Sequence, residues 1–477
     1  MALRLFNTLS RTVEEFVPLD AGGRLVRMYC CGPTIYDFGH IGNFRTFVFS
    51  DLVRRYLEFR GYQVTSVMNI TDVEDKIIKR VRETGTTLRG YVSKYEEAFL
   101  EDMRTLGCLA PHHLPRATDH IAEMIQIIEA LIKRGIAYQA ADKSIYFSIE
   151  KYRGCGCRYG QLVSLNFDQM RVGDRIASDE YTKEAVADFA LWKARVPEDG
   201  AVFWPSPWGE GRPGWHIECS AMSMKLLGPS FDLHLGGEDL AFPHHEDEIA
   251  QSEGAGLQAA GQRFVKYWVH GAHLLVDGKK MSKSLGNFFT LRDLLAKGYR
   301  GREIRYLLIS AHYRETFNFT LEGLESHARK GIERLDECLD KLQELAGTTA
   351  ASPDGKLLGL FTQAMDDDLN VSAAWGVVFE WIREQNRLLA AGQVSGSAAA
   401  CALATWQRLD QVLGLGQRNT SQAPLEVLAL LESRQAARQA KDFRRADALR
   451  EELKSKGWLI EDTPKGAKLK PIDPAHH

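Results

Sequence analysis

The sequence predicts an α/β protein on a doubly wound parallel sheet of Rossmann type, carrying a connective insertion and followed by a helical bundle and a small C-terminal domain. Three observations carry this. The first 80 residues alternate strand and helix patterns, the same alternation resumes near residue 214, and from Gly301 to about residue 412 the pattern is mostly helical. At 477 residues the chain is too long for one core, so two to four domains are expected.

The elements follow in order. "GRLVRMYCC" reads as a short buried strand that Gly32-Pro33 ends. From Phe44 apolar residues recur at 47, 48, 52, 56 and 59, a helix period that Gly61 stops. "YQVTSVM" is a second strand, and Thr71 with Glu74 fits a capping box opening a helix over "TDVEDKIIKRV". Residues 85 to about 200 differ, with amphipathic helices such as "HIAEMIQIIEALIKRG" and then short aromatic segments. "FDLHLGG" restores the strand grammar, and "PHHEDEIAQSEG" is a helix with Pro243 in its first turn and Gly254 after its end. "YWVHGAHLLVDGKK" is strand and turn. The turn-rich stretches 346–356 and 414–424 read as linkers. A charged helix broken near Asp442 and a strand "WLIED" close the chain. The division expected is 1–110 and 206–320 for the two halves of the sheet domain, 111–205 for the insertion, 321–415 for the bundle and 425–477 for the last domain.

Composition narrows the class. Apolar content of 44% and charged content of 26% are those of a soluble globular protein, and no apolar run approaches the roughly 20 residues a membrane span needs. The charged, amphipathic start lacks a secretory h-region, so a cytoplasmic location is expected. Eight cysteines in so long a chain are thiols, core fillers or ligands. Net charge is only −3, but 11 Lys and Arg stand against 8 Asp and Glu from Glu432 onward, a mild sign of an anionic partner or a solvated helix face.

Two motifs carry chemistry. His40-Ile41-Gly42-Asn43 lies between a strand and a helix, where helix N–H groups and dipole favour phosphate. His40 can donate to a phosphate oxygen; Asn43 can donate through its amide or serve as the N-cap. In "DGKKMSKSLGN", Lys280 and Lys283 flank Met281-Ser282, and a loop of this kind can bring two ammonium groups onto a triphosphate.

With these two motifs in order, the chain resembles the class I aminoacyl-tRNA synthetases and, within them, the cysteinyl enzymes. The resemblance runs through "FNTLSRTVEEFVP", "YCCGPTIYDFGHIGN", "NITDVEDKII", "DFALWKA", "GRPGWHIECSAMS", "HLGGEDLAFPHHEDEIAQSE", "KMSKSLGNFFTLRDLL", "SAHYRETFNF", "AMDDDLN" and "ARQAKDFRRADALREEL". It implies Mg²⁺-ATP-dependent activation of L-cysteine to cysteinyl-adenylate and transfer to the terminal adenosine of tRNA(Cys). His40, Lys280 and Lys283 would then be the transition-state group. Cys31, Cys219, His244 and Glu248 would hold one Zn²⁺ per chain. Spacing alone leaves His244 and His245 open, four and three residues from Glu248, and leaves Cys219 readable as a core thiol. The family motif points to His244 and to Cys31 rather than Cys30.

The resemblance further places Gly32, Thr34, Thr71 and Trp215 around the amino acid. It places His40, Asn43, Gly236, Gly237, Asp239 and Lys283 around ATP. His234, Glu238 and His216 would be supporting residues. The family signature has a second histidine where this chain has Asn43. The small C-terminal domain, which the resemblance makes a tRNA- and anticodon-binding domain, would offer Arg434, Arg438, Lys441, Arg444 and Arg445 to tRNA. The chain is expected to be a monomer. A cysteine ligase acting on an amino sugar, and a non-catalytic nucleotide-binding paralogue, are the alternatives. Cys155-Gly156-Cys157 has no place in the family pattern and reads as a fortuitous loop pair.

Overall fold

The computed structural model describes residues 2–165, 175–176, 187–282, 285–416, 425–456, 458–463 and 466–471. The chain opens on a hairpin that the strand–helix alternation had not signalled, β1 (Arg4–Asn7) against β2 (Thr12–Glu15). β3 (Leu25–Cys30) leads through the Gly-Pro turn to α1 (Ile41–Phe59), then β4 (Gln63–Met68), α2 (Asp75–Thr84) and α3 (Leu88–Thr105). Two cap expectations change. The N-cap of α1 is His40: its Nδ1 accepts from the Asn43 N–H (3.2 Å) while Asn43 Oδ1 accepts from the His40 N–H (3.1 Å). The N-cap of α2 is Glu74, which accepts from the Lys76 N–H at 2.7 Å. Thr71 cannot cap, because α2 begins four residues later at Asp75 and the Thr71 N–H and hydroxyl are already bonded, to Pro33 O (3.1 Å) and Glu218 Oε2 (3.0 Å).

The insertion comprises α4 (Ile121–Lys133), β5 (Ala137–Gln139), β6 (Ile145–Phe147), α5 (Ile149–Gly154), β7 (Arg175–Ile176), β8 (Asp188–Ala194) and β9 (Gly211–Pro213). Its five strands form a separate, mainly antiparallel sheet. α6 (Trp215–Leu227), β10 (Phe231–Gly237), α7 (His244–Ala255) and β11 (Val265–Gly271) complete the parallel sheet, whose order is β11-β10-β3-β4. α7 runs past Gly254 to a left-handed cap at Gly256 (φ 68°). Gly254 instead lets the helix pack closely, since a Cβ there would meet Leu131 and Tyr152 at 3.1 and 3.4 Å.

Chain order reverses between β3 and β10: β4 lies to one side of β3 and the later strands to the other. That switch point is where open α/β sheets form a crevice beyond the carboxyl ends of their strands. The sheet also divides the core. Cys30 joins the cluster of Val26, Met28, Phe47 and Val48, whereas Cys31 joins that of Tyr29, Ile217, Cys219 and Trp268. Adjacent strand residues face opposite layers, so the two cysteines are neighbours only in sequence.

β12 (Leu274–Val276) and β13 (Lys279–Lys280) form a tight hairpin through Asp277 (φ 49°) and Gly278 (φ 73°). α8 (Leu291–Ala296), α9 (Gly301–Leu308), β14 (Phe317–Phe319) and α10 (Leu321–Gly323) lead through a π-helical stretch into α11 (Lys330–Ala346), α12 (Gly355–Asp366), α13 (Val371–Ala390) and α14 (Gly396–Leu413). The 346–356 linker spans the end of α11 and the Asp354 cap of α12; most of the second linker, 417–424, lies outside the described residues. The last domain holds α15 (Leu425–Gln439), α16 (Phe443–Ser455) and a hairpin of β15 (Trp458–Thr463) with β16 (Gly466–Pro471). The break falls where expected, with Asp442 capping α16. Among the described residues no helix is long and apolar enough to cross a membrane.

Candidate metal centre and nucleotide cleft

Cys31 follows β3 directly, its N–H bonded to Leu235 O of β10 (3.2 Å), so its thiol stands at the switch point. α6 brings Cys219 and α7 brings His244 and Glu248, one helical turn apart. Sγ of Cys31 is 3.7 Å from Sγ of Cys219 and 3.6 Å from Glu248 Oε1, and His244 Nε2 is 3.2 Å from that same oxygen. All four donors lie within 4.8 Å of one another and all four residues are buried. Two thiols, an imidazole and a carboxylate with no Lys or Arg among them are a donor set for a borderline-soft divalent metal. Burial holds the Cys31 thiol protonated; burial would do the same to Cys219, but the proton that Cys31 offers its sulfur brings Cys219 down to about 6.

The histidine ambiguity survives as a second, overlapping set: Cys31, His234, His245 and Glu248 also cluster. His245 Nε2 is 3.3 Å from Cys31 Sγ, but its Nδ1 is bonded to His270 Nε2 (2.8 Å), whose Nδ1 meets Thr8 Oγ1 (2.8 Å). The set with His244 is favoured by its second sulfur.

The neighbours orient these donors. His234 Nε2 donates to Glu248 Oε2 at 2.9 Å, leaving Oε1 for the cluster. His216 Nδ1 bonds His244 Nδ1 (3.0 Å) and its Nε2 faces Asp247 (3.4 Å), so His244 turns Nε2 inward. His216 and His234 therefore contact two of the four candidate ligands, His244 and Glu248. Glu238 is exposed and accepts from the His273 N–H at 2.8 Å.

The residues expected around the amino acid converge beside the cluster. The Trp215 ring stacks on His244 (centroids 4.4 Å), and Thr71 Oγ1 donates to Glu218 Oε2 (3.0 Å). Asn69, which the sequence reading did not single out, ties them together. Its Oδ1 accepts from the Gly32 N–H (2.9 Å) and lies 3.6 Å from Cys219 Sγ, while its Nδ2 donates to Thr71 Oγ1 (3.2 Å). Its position just past the end of β4, at the sheet's carboxyl edge, was the available signal.

The two sequence motifs also meet. His40 pairs with Thr290 in an isolated bridge, the Ile41 N–H donates to Phe289 O (3.0 Å), and the Phe288 ring lies edge-on to His40 (5.4 Å). A Cβ on Gly42 would touch the Met281 methyl at 3.0 Å, so the lysine-bearing loop lies on the His40 loop. Lys280 is exposed on β13; Lys283 lies outside the described residues. Asn287 closes the loop, its Oδ1 accepting from the Ser282 N–H (2.9 Å) and its Nδ2 donating to Lys280 O (3.2 Å). Burial lowers the His40 pKa against the pull of Asp239, which favours the neutral ring, and because Nδ1 accepts in the helix cap the proton of that ring stands on Nε2. Gly236 faces His245, which a Cβ would meet at 2.5 Å; Gly237 and Asp239 follow at the end of β10, with Asp239 exposed. Asn43 is exposed, with its carbonyl oxygen committed to the cap.

In the last domain Arg434 is buried (4% exposed), which removes it from the candidate RNA contacts; Arg438, Lys441, Arg444 and Arg445 are exposed. The Cys155 and Cys157 sulfurs lie 3.4 Å apart.

Residues 16–329 match the family model of the tRNA synthetases class I (C) catalytic domain, 360–417 the DALR domain and 420–468 the cysteinyl-tRNA ligase anticodon binding domain. The cysteine–tRNA ligase of Chlamydia muridarum is 46% identical over 487 residues, covering 99% of this chain and 100% of the relative. That of Protochlamydia amoebophila is 44% identical over 480 residues, covering 98% of each. Among solved structures, methionyl-tRNA synthetase of Mycobacterium tuberculosis bound by methionyl-adenylate shares the fold at 13% identity, with a TM-score of 0.61 over 82% of this chain and 92% of that one.

Proposed function

The chain belongs to the cysteine–tRNA ligases of the class I aminoacyl-tRNA synthetases, and on that premise we propose how its residues divide the reaction. The carboxylate of L-cysteine attacks the α-phosphate of Mg²⁺-ATP, giving cysteinyl-adenylate and pyrophosphate. The acyl group then passes to the terminal adenosine of tRNA(Cys). A carboxylate is already a nucleophile, so no general base is assigned, and rate enhancement comes from positioning and electrostatics.

The single observation that carries this reading is the buried Cys31, Cys219, His244 and Glu248 cluster at the end of the strand whose next loop presents His40. These four residues would hold one Zn²⁺. When bound, the metal supplies a soft Lewis acid that favours a thiolate over the near-isosteric serine hydroxyl, a distinction an apolar pocket makes poorly. His234 and His216 keep Glu248 and His244 aimed at it. Trp215, Thr71, Thr34 and the backbone of Gly32 enclose the rest of the amino acid.

On the nucleotide side, the His40 Nε2–H donates to a phosphate oxygen as charge develops, and Lys280 and Lys283 neutralise the α-phosphate and departing pyrophosphate. Gly236 and Gly237 admit the ribose and adenine close to the backbone, and Asp239 accepts from a ribose hydroxyl. Asn43 acts mainly through the His40 cap. Arg438, Lys441, Arg444 and Arg445 contact tRNA phosphates, so tRNA affinity falls with salt. The match of residues 420–468 to an anticodon-binding domain supports tRNA over an amino-sugar acceptor.

The test is Cys219→Ser, followed by bound zinc and cysteine-dependent ATP–pyrophosphate exchange. Loss of both is expected; normal zinc with normal exchange would overturn the ligand assignment.

A further inference from the structure

α5 ends at Gly154, and the Cys155 N–H still reaches Lys151 O at 3.2 Å. Gly156 then takes φ 84° and donates to Arg153 O at 3.0 Å, the left-handed reversal that ends many helices. No atom lies within 4 Å of the place its Cβ would occupy, so glycine is needed for the dihedral and not for space. The reversal returns the chain so that the Cys157 sulfur stands 3.4 Å from that of Cys155. Of the eight cysteines Cys155 alone is exposed; Cys157 is half-buried beneath it.

The chain beyond this pair is fastened to α7. Tyr159 donates its hydroxyl to Asp247 Oδ1 (2.5 Å), and the N–H groups of Gly160, Gln161 and Leu162 donate to the Glu246 carboxylate at 2.7, 2.8 and 2.9 Å. Glu246 and Asp247 sit between His244 and Glu248 in the sequence of the same helix. A covalent S–S bond is about 2.05 Å long, so closing the pair draws the sulfurs together by about 1.4 Å at the head of this fastened loop.

We propose that Cys155 and Cys157 are a reversible redox modification site, oxidised by low-molecular-weight disulfides, and that its closure shifts α7 and weakens cysteine binding. The Cys155 thiolate attacks one sulfur of a disulfide RSSR; that S–S bond breaks and RS⁻ leaves, taking up a proton. Cys157, losing its proton to solvent, attacks the Cys155 sulfur of the mixed disulfide and expels the second RS⁻. Two electrons pass from the protein thiols to RSSR, which becomes two RSH. A low-molecular-weight thiol reverses both steps.

The experiment equilibrates the full-length, metal-loaded protein in glutathione buffers of graded ratio, traps thiols by alkylation and maps the peptides by mass. A Cys155–Cys157 disulfide that forms and reverses is expected, with Cys108 and Cys401 carrying at most mixed disulfides. A persistent glutathione adduct on Cys155 beside an alkylated Cys157, or two alkylated cysteines in the most oxidising buffer, overturns the site. The link to α7 rests on the ligase reading. Oxidation should raise the KM for cysteine several-fold in pyrophosphate exchange while leaving that for ATP, read as initial rates with the disulfide mapped again at the end of each assay because cysteine is itself a reducing thiol, and neither should move in Cys155→Ser. A cross-linked protein with an unchanged KM for cysteine overturns the link. Because the disulfide map needs no activity, a failure of the ligase reading would leave the map intact.

Discussion

At Gly32 the missing side chain is the point. A Cβ there would stand 1.7 Å from the Asn69 carbonyl oxygen, a backbone atom held at the end of β4 that cannot swing aside. Gly32→Ala should therefore cost about 1–3 kcal/mol or more in urea unfolding and disturb the Asn69–Cys219 contact, lowering exchange. His40 has two roles that one substitution separates. His40→Asn retains a good N-cap but loses the ring donor, so thermal stability should hold within about 1 kcal/mol while exchange falls about a hundredfold. Burial with the charge of His234 lowers His270 to about 3, burial with neighbouring imidazoles takes His245 well below 6.5, and burial lowers His40. All three bind protons more weakly folded than unfolded. The stability they contribute is complete above about pH 6.5 and should decline as pH falls toward 3 in a metal-free unfolding series.

α7 is an unusual helix. His244 through Glu248 are five consecutive ionisable residues, none more than 1% exposed. An amphipathic helix would leave part of such a run in water. Here each residue has its own fixed partner: His216, His270, the backbone of 160–162, Tyr159 and His234. Such a network stabilises only when complete, since each unpaired buried group costs about 1–3 kcal/mol. A chelator that removes the zinc proposed for this cluster should lower the melting temperature and speed amide exchange across α7. Acidification should release metal, because thiols and imidazole must be deprotonated to bind it; a colorimetric zinc assay against pH would show this.

Across the molecule, buried charges join the catalytic domain to the bundle. Arg305, fully buried on α9, donates to Asp51 of α1 (2.6 Å), Leu106 O (3.1 Å) and Leu413 O at the end of α14 (2.7 Å). Asp366 of α12 likewise receives Tyr56 (2.6 Å) and pairs with Arg60. Replacing Arg305 with Met leaves Asp51 short of a partner and should cost about 3 kcal/mol. Because the substitution loosens the bundle against the catalytic domain, aminoacylation of tRNA should fall further than pyrophosphate exchange, and comparing the two rates is the check.

Period and turn chemistry made the parallel strands, α1, α4, the break at Asp442 and the two motif loops legible along the chain, because those signals are local. The resemblance brought the four candidate ligands together, but spacing alone could not choose between His244 and His245, since both share a turn with Glu248. Local rules also misplaced two caps and the end of α7. A threonine before a helix looks like a cap whether or not its backbone and hydroxyl already have distant partners, as those of Thr71 have in Pro33 and Glu218. Tertiary packing buried Arg434 and set Asn69 between Gly32 and Cys219. Each of these depends on which distant segments meet, and pairings such as that of Cys31 with Cys219, 188 positions apart, leave no period in the sequence to read.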